Sequence, residues 1–362
     1  MAGAGVYTYQ LVRALAETAG DHRLLVFARP GLFDDLTARH PRLRVVHVAP
    51  ASRPARLAWE QTVLPLLLRR LAVDVLHSPH HHTPLASPGL RRVVTFHDLT
   101  FLLMPKRYPL PRRLYMEGLT RAAARIADAI ITPSQVVRQE AIQQLGVSGE
   151  RVVAIPEAAG PQYVPIEDED TLGRLRWKYR LPNRYILSVG SLEPGKNRAR
   201  LIRAYARLRN EGIDSPLAIA GQPAWRYQGD FELVRRLGLD EHVRFLGYVP
   251  DEDMPALYSG AMLLAFPSLY EGFGLPVLEA MACGTPVVTS NVSGSAEVAG
   301  DAAVLVDPED TDALAEALGR VLSDEALQAD LRSRGLDRAQ QFSWQHTARE
   351  TLAVYEVVAA KP

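Results

Sequence analysis

The sequence predicts an α/β protein with two doubly wound parallel sheets, one in each of two domains. Three observations support this fold class. The chain has 362 residues, which is too long for one typical hydrophobic core. Short apolar runs alternate with helical patterns in both halves of the chain. Prolines and acidic residues in 161–170 separate the halves, so we predict domains over residues 1–165 and 166–341.

The predicted strands are short apolar runs, which suit strands that are buried on both faces. In the first half they are 24–27, 44–48, 74–77, 92–96, 129–132 and 152–155. In the second half they are 185–189, 217–220, 243–246, 262–266, 286–289 and 303–306. Helical patterns fill several of the gaps, as parallel strands require for their crossovers.

Composition is ordinary for a globular protein, and the single cysteine, Cys283, excludes an intrachain disulfide framework. We therefore expect a reducing, cytoplasmic location. No apolar run is long enough for a membrane-spanning helix, and the start does not resemble a signal peptide. Residues 1–165 carry 20 Lys and Arg against 12 Asp and Glu, whereas the remainder carries 21 against 29. This asymmetry predicts that one domain faces phosphates or an acidic membrane surface; no nucleic-acid partner is expected.

One stretch, 262–300, reads as a strand, a loop, a helix and a second strand. The loop spans 267–274, and Pro276 suits the first turn of a helix that stops at Gly284. Because this unit places a glycine-rich loop at the carboxyl end of a buried strand, it is the first candidate for a ligand site.

The loop has the residues to bind a molecule with a central diphosphate. Gly272 and Gly274 let the backbone pass close to a ligand, and the amides of Phe273, Gly274 and Leu275 face the helix entrance, where anions are favoured. Glu271 and Glu279 would repel a phosphate, so we expect them to bind hydroxyl groups at the two ends of the ligand. A nucleotide sugar fits this description.

The sequence Glu271-Gly-Phe-Gly-Leu-Pro-Val-Leu-Glu279, followed by Ala-Met-Ala-Cys-Gly-Thr-Pro-Val-Val, resembles the E-x7-E signature of retaining GT-B glycosyltransferases of family GT4, also called glycosyltransferase group 1. In that family the first Glu contacts the transferred sugar and the second holds the ribose hydroxyls. The resemblance implies these roles for Glu271 and Glu279. A loop Glu followed by a solvated helix Glu is the alternative explanation.

The resemblance also implies a fold: two Rossmann-like domains that face one cleft, with a terminal helix in 342–362 that crosses back to the first domain. The chain opens with MAGAGVYTYQLVRAL, which corresponds to a glycine-rich loop and the first helix. We expect that the first strand of the N-terminal domain is missing through truncation or a misassigned start, which would leave a slot in that sheet.

A second motif, Val189-Gly-Ser-Leu-Glu-Pro-Gly-Lys-Asn197, lies where a predicted strand gives way to a helix. Lys196 can neutralise a leaving diphosphate, and the loop at Gly190 and Ser191 can add amide donors. Relatives often have Arg where this chain has Ser191, so we expect only one cation of this motif to reach the phosphates. A solvated lysine near a helix start is the alternative.

His97 ends the strand 92–96, at the edge of the sheet where ligands bind in such folds. It resembles the family's His beside the donor sugar and the acceptor, although a hydrogen-bonded structural histidine is the more usual role of such a residue. Asp98 could join it or cap the next turn. Val249, after the strand 243–246, corresponds to a family segment whose backbone reads the nucleobase.

Gly3 and Gly5 open a helix and can approach the donor phosphate or the acceptor. A GxG before a helix is also typical of NAD sites, but the third glycine of that fingerprint would fall at Thr8, and no acid ends the strand 24–27.

Two further patterns allow a metal, but neither favours it. Adjacent side chains of 80–82, three consecutive histidines, point in opposite directions in an extended chain, so a polar loop is the better interpretation. The acidic triplets 168–170 and 251–253 precede helical patterns, where acids cap helices.

The segments 53–70 and 106–125 combine arginines with apolar residues. A solvated face of an amphipathic helix explains them, and so does peripheral binding to anionic lipid, which would suit a polyprenyl-linked acceptor.

We therefore expect a metal-independent, retaining glycosyltransferase that moves a hexose from a nucleoside diphosphate to a hydroxyl of a glycan or lipid-linked acceptor. Its catalytic residues would be His97, Lys196 and Glu271, and it would need no cofactor. The L-E-P-x-K-N and S-N-V-S motifs lean toward mannosyltransferases, with GDP-mannose as the first donor to consider. A non-catalytic nucleotide-sugar-binding protein is one alternative. An NAD-dependent or sugar-nucleotide-modifying Rossmann enzyme is the other.

Overall fold

The computed structural model describes residues 3–48, 52–86, 89–225 and 227–361. The chain folds into two compact units, one of Met1–Glu157 with Ser343–Pro362 and one of Ala158–Phe342. All strand pairs of the described residues are parallel in both units. The predicted α/β fold class with parallel sheets is therefore confirmed. The first unit ends at Glu157, before the boundary predicted at residue 165.

The strands of the first unit lie close to the six predicted runs. They are β1 (Leu24–Ala28), β2 (Leu43–His47), β3 (Val75–Ser78), β4 (Arg91–Thr95), β5 (Ala129–Thr132) and β6 (Val152–Ala154). In the described part of the chain they form two separate sheets, β1-β2 and β3-β4-β5-β6. An interruption of this sheet is what the sequence analysis predicted.

The helices of the first unit are α1 (Gly3–Thr18), α2 (Asp34–Thr37), α3 (Arg53–Arg70), α4 (Thr100–Leu103), α5 (Leu110–Ile126) and α6 (Gln135–Leu145). In α1 the buried side chains recur at helical spacing, which gives the helix one apolar face. These side chains are Tyr7, Gln10, Leu11, Ala14 and Leu15.

The second unit has one six-stranded sheet in the order β12-β11-β10-β7-β8-β9. Its strands are β7 (Ile186–Val189), β8 (Leu217–Ala220), β9 (Val243–Gly247), β10 (Leu263–Phe266), β11 (Val287–Ser290) and β12 (Val304–Val306). Its helices are α7 (Glu169–Tyr179), α8 (Arg198–Asn210), α9 (Gln228–Arg236), α10 (Met254–Ser259), α11 (Leu275–Ala282), α12 (Ser293–Ala299), α13 (Thr311–Ser323) and α14 (Glu325–Ala339).

The central strand β10 explains why this unit is doubly wound. Leu263 and Ala265 belong to the core on one face of the sheet, whereas Leu264 and Phe266 belong to the core on the other. Because successive side chains of a strand point to opposite faces, a wholly apolar strand needs helices on both sides.

The last helix, α15 (Trp344–Ala359), belongs to the first unit. The hydroxyl of Ser343 caps it by accepting a hydrogen bond from the His346 amide, and Val354 and Val358 pack against the core behind β4 and β5. Across the described residues, no helix is both long and apolar enough to cross a membrane.

A buried hydrogen-bond chain ties α15 to α1 and to the sheet. The hydroxyl of Tyr355 lies 2.5 Å from Nδ1 of His77, Nε2 of His77 lies 2.7 Å from Oγ1 of Thr95, and the hydroxyl of Tyr7 lies 3.2 Å from the same oxygen. Burial, and then the charge of His97, lowers the pKa of His77 to about 3, so this ring is neutral at pH 7. These hydrogen-bonded side chains thus form a neutral polar network within the first unit.

Candidate active site

The glycine-rich loop predicted in 267–274 lies where expected, between β10 and α11. Gly274 precedes the helix with φ of +112°, a backbone conformation that favours glycine, and Pro276 lies in the first turn. Among the described residues, no hydrogen bond takes up the amides of Phe273 and Gly274. The amide of Leu275, the first helical residue, also lacks a partner within the helix by geometry. The predicted anion-binding amides are therefore available.

Two residues of α12 that the sequence analysis missed fix this loop. The amide of Glu271 donates to Oγ of Ser293 at 3.0 Å, and the amide of Gly294 donates to the carbonyl of Glu271 at 2.9 Å. A Cβ on Gly294 would lie 2.4 Å from the carbonyl oxygen of Gly272, so only glycine allows this approach. The sequence signal for this contact is the pair Ser293-Gly294 after β11, and no local pattern links that pair to the loop.

Lys196 and Glu271, predicted on separate grounds, form one ion pair in the structure. Nζ of Lys196 lies 2.6 Å from Oε1 of Glu271, and the two side chains are 18% and 15% exposed. Asn197 joins their loops, since its Nδ2 donates to the carbonyls of Pro267 at 3.0 Å and Pro308 at 2.6 Å. Without a ligand, the cation and the acid thus neutralise each other.

Arg198 is a second cation beside the Gly190–Ser191 loop, and sequence analysis missed it. Its side chain is buried, and the guanidinium donates to the carbonyls of Gly190 and, at 2.6 Å, of Ser191. In the described part of the chain, no carboxylate lies within ion-pair distance of the Arg198 guanidinium. Burial lowers the pKa of Arg198 to about 10, so the group stays charged at pH 7.

Arg198 also determines where one amide points. In a trans peptide the C=O and the following N–H point in opposite directions. Since the carbonyl of Gly190 is turned toward Arg198, the amide of Ser191 is turned away from it, and no hydrogen bond of the described residues takes it up. A Cβ on Gly221 would lie 1.8 Å from the Gly190 carbonyl oxygen, so glycine is required there too.

Glu279 points into the unit and not to bulk water. The hydroxyl of Tyr258 donates to Oε2 of Glu279 at 2.8 Å, and Tyr163 also hydrogen-bonds to this carboxyl. Burial and, less strongly, nearby Asp251 raise the pKa of Glu279 to about 7, against the effect of these two hydrogen bonds. A ligand that donates hydrogen bonds to this carboxyl would stabilise its ionised form and lower its pKa. Tyr258 and Tyr163 carry no motif that sequence reasoning could have used.

Val249 follows β9 and is buried, whereas the side chain of Tyr248 beside it is exposed. Nothing among the contacts of Val249 tests its predicted role in reading the nucleobase.

In the first unit, His97 follows β4 at the carboxyl end of the sheet, as predicted. Its Nε2 lies 3.1 Å from the carbonyl oxygen of Pro79, and its Nδ1 lies 3.4 Å from Oε1 of Glu157. The ring of Tyr7 meets it edge-on at 4.8 Å. Asp98 caps the next turn, which was one of its two predicted roles: it accepts a hydrogen bond from the Thr100 amide at 2.9 Å.

Gly3 and Gly5 lie at the exposed start of α1, and a Cβ on Gly3 would meet nothing within 4 Å. A structural need for glycine is therefore not evident at Gly3.

The ring of His80 lies 5.9 Å from that of His81 and 5.8 Å from that of His82, but these two neighbours have other partners. His82 pairs with Glu60 at 2.8 Å, and His81 stacks on Phe96. Over the described residues there is no group of three or more His, Cys, Asp or Glu side chains that could hold a metal ion. Asp168 caps α7 by accepting from the Thr171 amide at 3.0 Å.

Comparison with known proteins identifies the family. The sequence profile "Glycosyl transferases group 1" matches residues 174–338, and the profile "Glycosyltransferase Family 4" matches residues 1–159. The O-antigen chain mannosyltransferase B of Escherichia coli is 33% identical over 378 aligned positions, which cover 99% of this chain and 97% of that relative. The chain belongs to glycosyltransferase family 4. It is a glycosyltransferase.

A further relative and two solved structures are similar along most of the chain. The serotype-specific mannosyltransferase WbdA of E. coli is 31% identical over 96% of this chain, which spans 45% of that longer relative. Among solved structures, Anabaena HepE in complex with UDP-glucose has a TM-score of 0.78 at 22% identity, with 99% of this chain and 96% of that one covered. WaaG, a glycosyltransferase of lipopolysaccharide biosynthesis, has a TM-score of 0.74 at 18% identity, with 99% and 96% covered. These structures confirm the predicted GT-B fold.

Gly294→Ala should loosen the loop that carries Glu271, because the new Cβ would collide with a backbone carbonyl. We expect a loss of about 1–3 kcal/mol in the free energy of unfolding, measured with urea. The matched control is Gly173→Ala in α7, where a Cβ meets nothing within 4 Å and alanine favours the helix by up to about 1 kcal/mol. Equal urea midpoints for the two variants would contradict the close packing of α12 on the loop.

Proposed function

We propose that the protein transfers a mannosyl group from a nucleoside diphosphate mannose, with GDP-mannose as the first candidate, to a hydroxyl of a glycan or polyprenyl-linked acceptor. The transfer retains the anomeric configuration and uses no metal ion or other cofactor. The observation that carries this proposal is the set of unpaired loop amides in the second unit, flanked by Lys196, Arg198, Glu271 and Glu279. The E. coli relatives named as mannosyltransferases support the choice of sugar.

The diphosphate is bound by amides and cations. The amides of Phe273, Gly274 and Leu275 provide donors at a helix N-terminus. The amide of Ser191 adds one from the neighbouring loop, and the buried charge of Arg198 lies behind it. Such fixed donors cost little reorganisation when charge develops on the leaving group.

Donor binding opens the ion pair between Lys196 and Glu271. The ammonium group turns to a phosphate oxygen, and the carboxylate then accepts hydrogen bonds from hydroxyls of the sugar. Lys196 thus exchanges one charged partner for another, and hydrogen bonds from the sugar hydroxyls satisfy the Glu271 carboxylate, in a site where each side chain is less than one-fifth exposed.

Chemistry proceeds on the face of the sugar that the leaving group occupies. The bond from C1 to the phosphate oxygen lengthens first and gives an oxocarbenium-like state. The acceptor oxygen then bonds to C1 from the same side, and its proton passes to the departing phosphate. The proposed mechanism uses no covalent nucleophile of the protein. We also propose a catalytic role for His97 of the first unit.

A transfer assay tests this function. Purified protein with GDP-mannose, a glycan or polyprenyl-linked acceptor and EDTA should give an α-linked product by NMR. Glu271→Gln should lower kcat/KM by at least about 10²-fold with little change in GDP affinity, because Glu271 contacts the sugar. Glu309→Gln, an exposed acid of the same unit, is the control.

The rival functions give other results in the same assay. GDP binding without turnover for any acceptor would favour a non-catalytic nucleotide-sugar-binding protein. Binding of a nicotinamide cofactor that is insensitive to Glu271→Gln would favour a different Rossmann enzyme.

Nucleotide binding should release up to about half a proton at pH 7, because a carboxyl with a pKa of about 7 is about half protonated there. The pKa of Glu279 is about 7 without ligand, and ribose hydroxyls that donate to the carboxylate would lower it. Calorimetric titration with GDP at pH 7, in two buffers of different ionisation enthalpy, measures the release. Glu279→Gln should bind GDP without this component, and the difference between the proteins removes any contribution from the nucleotide itself. An equal release by both proteins would assign the proton to another group.

The first unit supports contact with a membrane surface, where a lipid-linked acceptor lies. Near the start of α5, Leu110 and Leu114 are 60% and 55% exposed, beside Arg112 and Arg113. Exposed apolar side chains next to arginines suit the headgroup region of an anionic bilayer.

Vesicle binding checks this part of the proposal. We expect the protein to sediment with vesicles that contain phosphatidylglycerol and to lose binding in Leu110→Ser/Leu114→Ser. Leu237→Ser, at an exposed leucine of the second unit, is the control. Sedimentation that is equal for all three proteins would contradict a role for α5.

A further inference from the structure

Glu157 is the one buried acid of the described residues that no sequence motif explained. It lies three residues after the end of β6, and its side chain is 5% exposed. An isolated buried carboxylate costs several kcal/mol, so it needs a charged or hydrogen-bonded partner. Its ion-pair partner is His97, with 3.4 Å between Oε1 of Glu157 and Nδ1 of the ring.

Both ring nitrogens of His97 face acceptors. Nδ1 faces the Glu157 carboxylate, and Nε2 faces the carbonyl oxygen of Pro79 at 3.1 Å. A carbonyl can only accept, so Nε2 must carry a hydrogen. An ionised Glu157 also only accepts, so Nδ1 must then carry one as well. The ring that satisfies both contacts is the imidazolium ion.

We propose that Glu157 is a positioning residue that holds His97 as a doubly protonated imidazolium, which makes His97 a fixed positive charge and not a general base. A neutral His97 could accept a proton from an acceptor hydroxyl only by giving up one of its two contacts. The meaning of this charge for catalysis rests on the proposed glycosyl transfer. The protonation state itself does not.

The surroundings of His97 agree with a single charge at this position. Burial opposes the charged form, but the hydrogen bond and charge of Glu157, the Pro79 carbonyl and Asp98 together raise the pKa of His97. Burial, and then the charge of His97, lowers the pKa of His80 to about 4 and that of His77 to about 3. Among the described residues, the titratable groups that face the ring or act on it are Tyr7 on α1, His77 on β3, His80 and His81 after β3, Asp98 after β4 and Glu157 after β6. Arg56 and Glu60 on α3 and His82 after β3 act on His80.

The backbone that carries Glu157 is held from two sides. The amide of Ile155 donates to the carbonyl of Thr132 at 2.8 Å, and the hydroxyl of Thr347 on α15 donates to the carbonyl of Pro156 at 2.7 Å. Tyr7, on α1, packs edge-on against the His97 ring. The ring and the carboxylate are therefore fixed by separate parts of the first unit, as a positioning contact requires.

A histidine titration followed by NMR tests the proposal without any assay of activity. The full chain, labelled with 15N in histidine, is titrated between pH 5 and 9, and the His97 signals are assigned from His97→Gln. We expect both ring nitrogens of His97 to be protonated at pH 7, and the apparent pKa of the ring to be lower in Glu157→Gln. Glu157→Asp, which keeps the charge, should titrate above Glu157→Gln, and exposed Glu150→Gln should titrate like the parent protein.

Two results would overturn the proposal: a neutral His97 at pH 7 in the parent protein, or the same His97 pKa in the parent and Glu157→Gln. If Glu157→Gln fails to fold, the parent and Glu157→Asp still decide it. The parent must then show the imidazolium at pH 7, and Glu157→Asp must alter the His97 pKa.

A pH–rate profile adds the catalytic reading. Since the imidazolium is lost as pH rises through the His97 pKa, the alkaline limb of kcat/KM should move to lower pH in Glu157→Gln. A merely structural role would lower the whole profile without moving that limb. Failure of the parent protein to transfer any sugar would sink the proposed function, while the NMR titration would still decide the state of His97.

Discussion

The orientation of a few peptide groups at the carboxyl edge of the second sheet determines what this unit can bind. Carbonyls are engaged on the protein side: that of Glu271 by the Gly294 amide, and that of Gly190 by Arg198. The engaged carbonyl of Gly190 leaves the amide of Ser191, in the same peptide, facing the other way. An anion then meets donors that are already aligned, and the energy of binding is not spent on ordering them.

This arrangement requires glycine at positions that carry no chemistry. Gly221 and Gly294 leave room for the backbone of a neighbouring loop, where any Cβ would overlap a carbonyl oxygen. The requirement comes from packing between segments that are distant in sequence. The sequence of one loop alone therefore does not predict that these two positions need glycine.

Charge in the two units is managed differently. In the second unit, Lys196 and Glu271 compensate each other, and the proposed function has them exchange this contact for a ligand, while Arg198 is a buried cation held by carbonyls. In the first unit, the buried acid Glu157 faces His97, whose other nitrogen is also engaged. The first pair is therefore suited to open on binding, and the second to stay fixed.

The sequence by itself determined the family, the twelve strands of the described residues and the loop that carries Glu271. Apolar runs and glycine positions are local signals, and the spacing of Glu271 and Glu279 can be recognised from the sequence alone. Tertiary structure alone decided the partners: Tyr258 and Tyr163 beside Glu279, Arg198 beneath Gly190, and Glu157 beside His97. These contacts join residues whose separation along the chain follows no fixed period, so burial and charge compensation, which depend on the packed fold, select them.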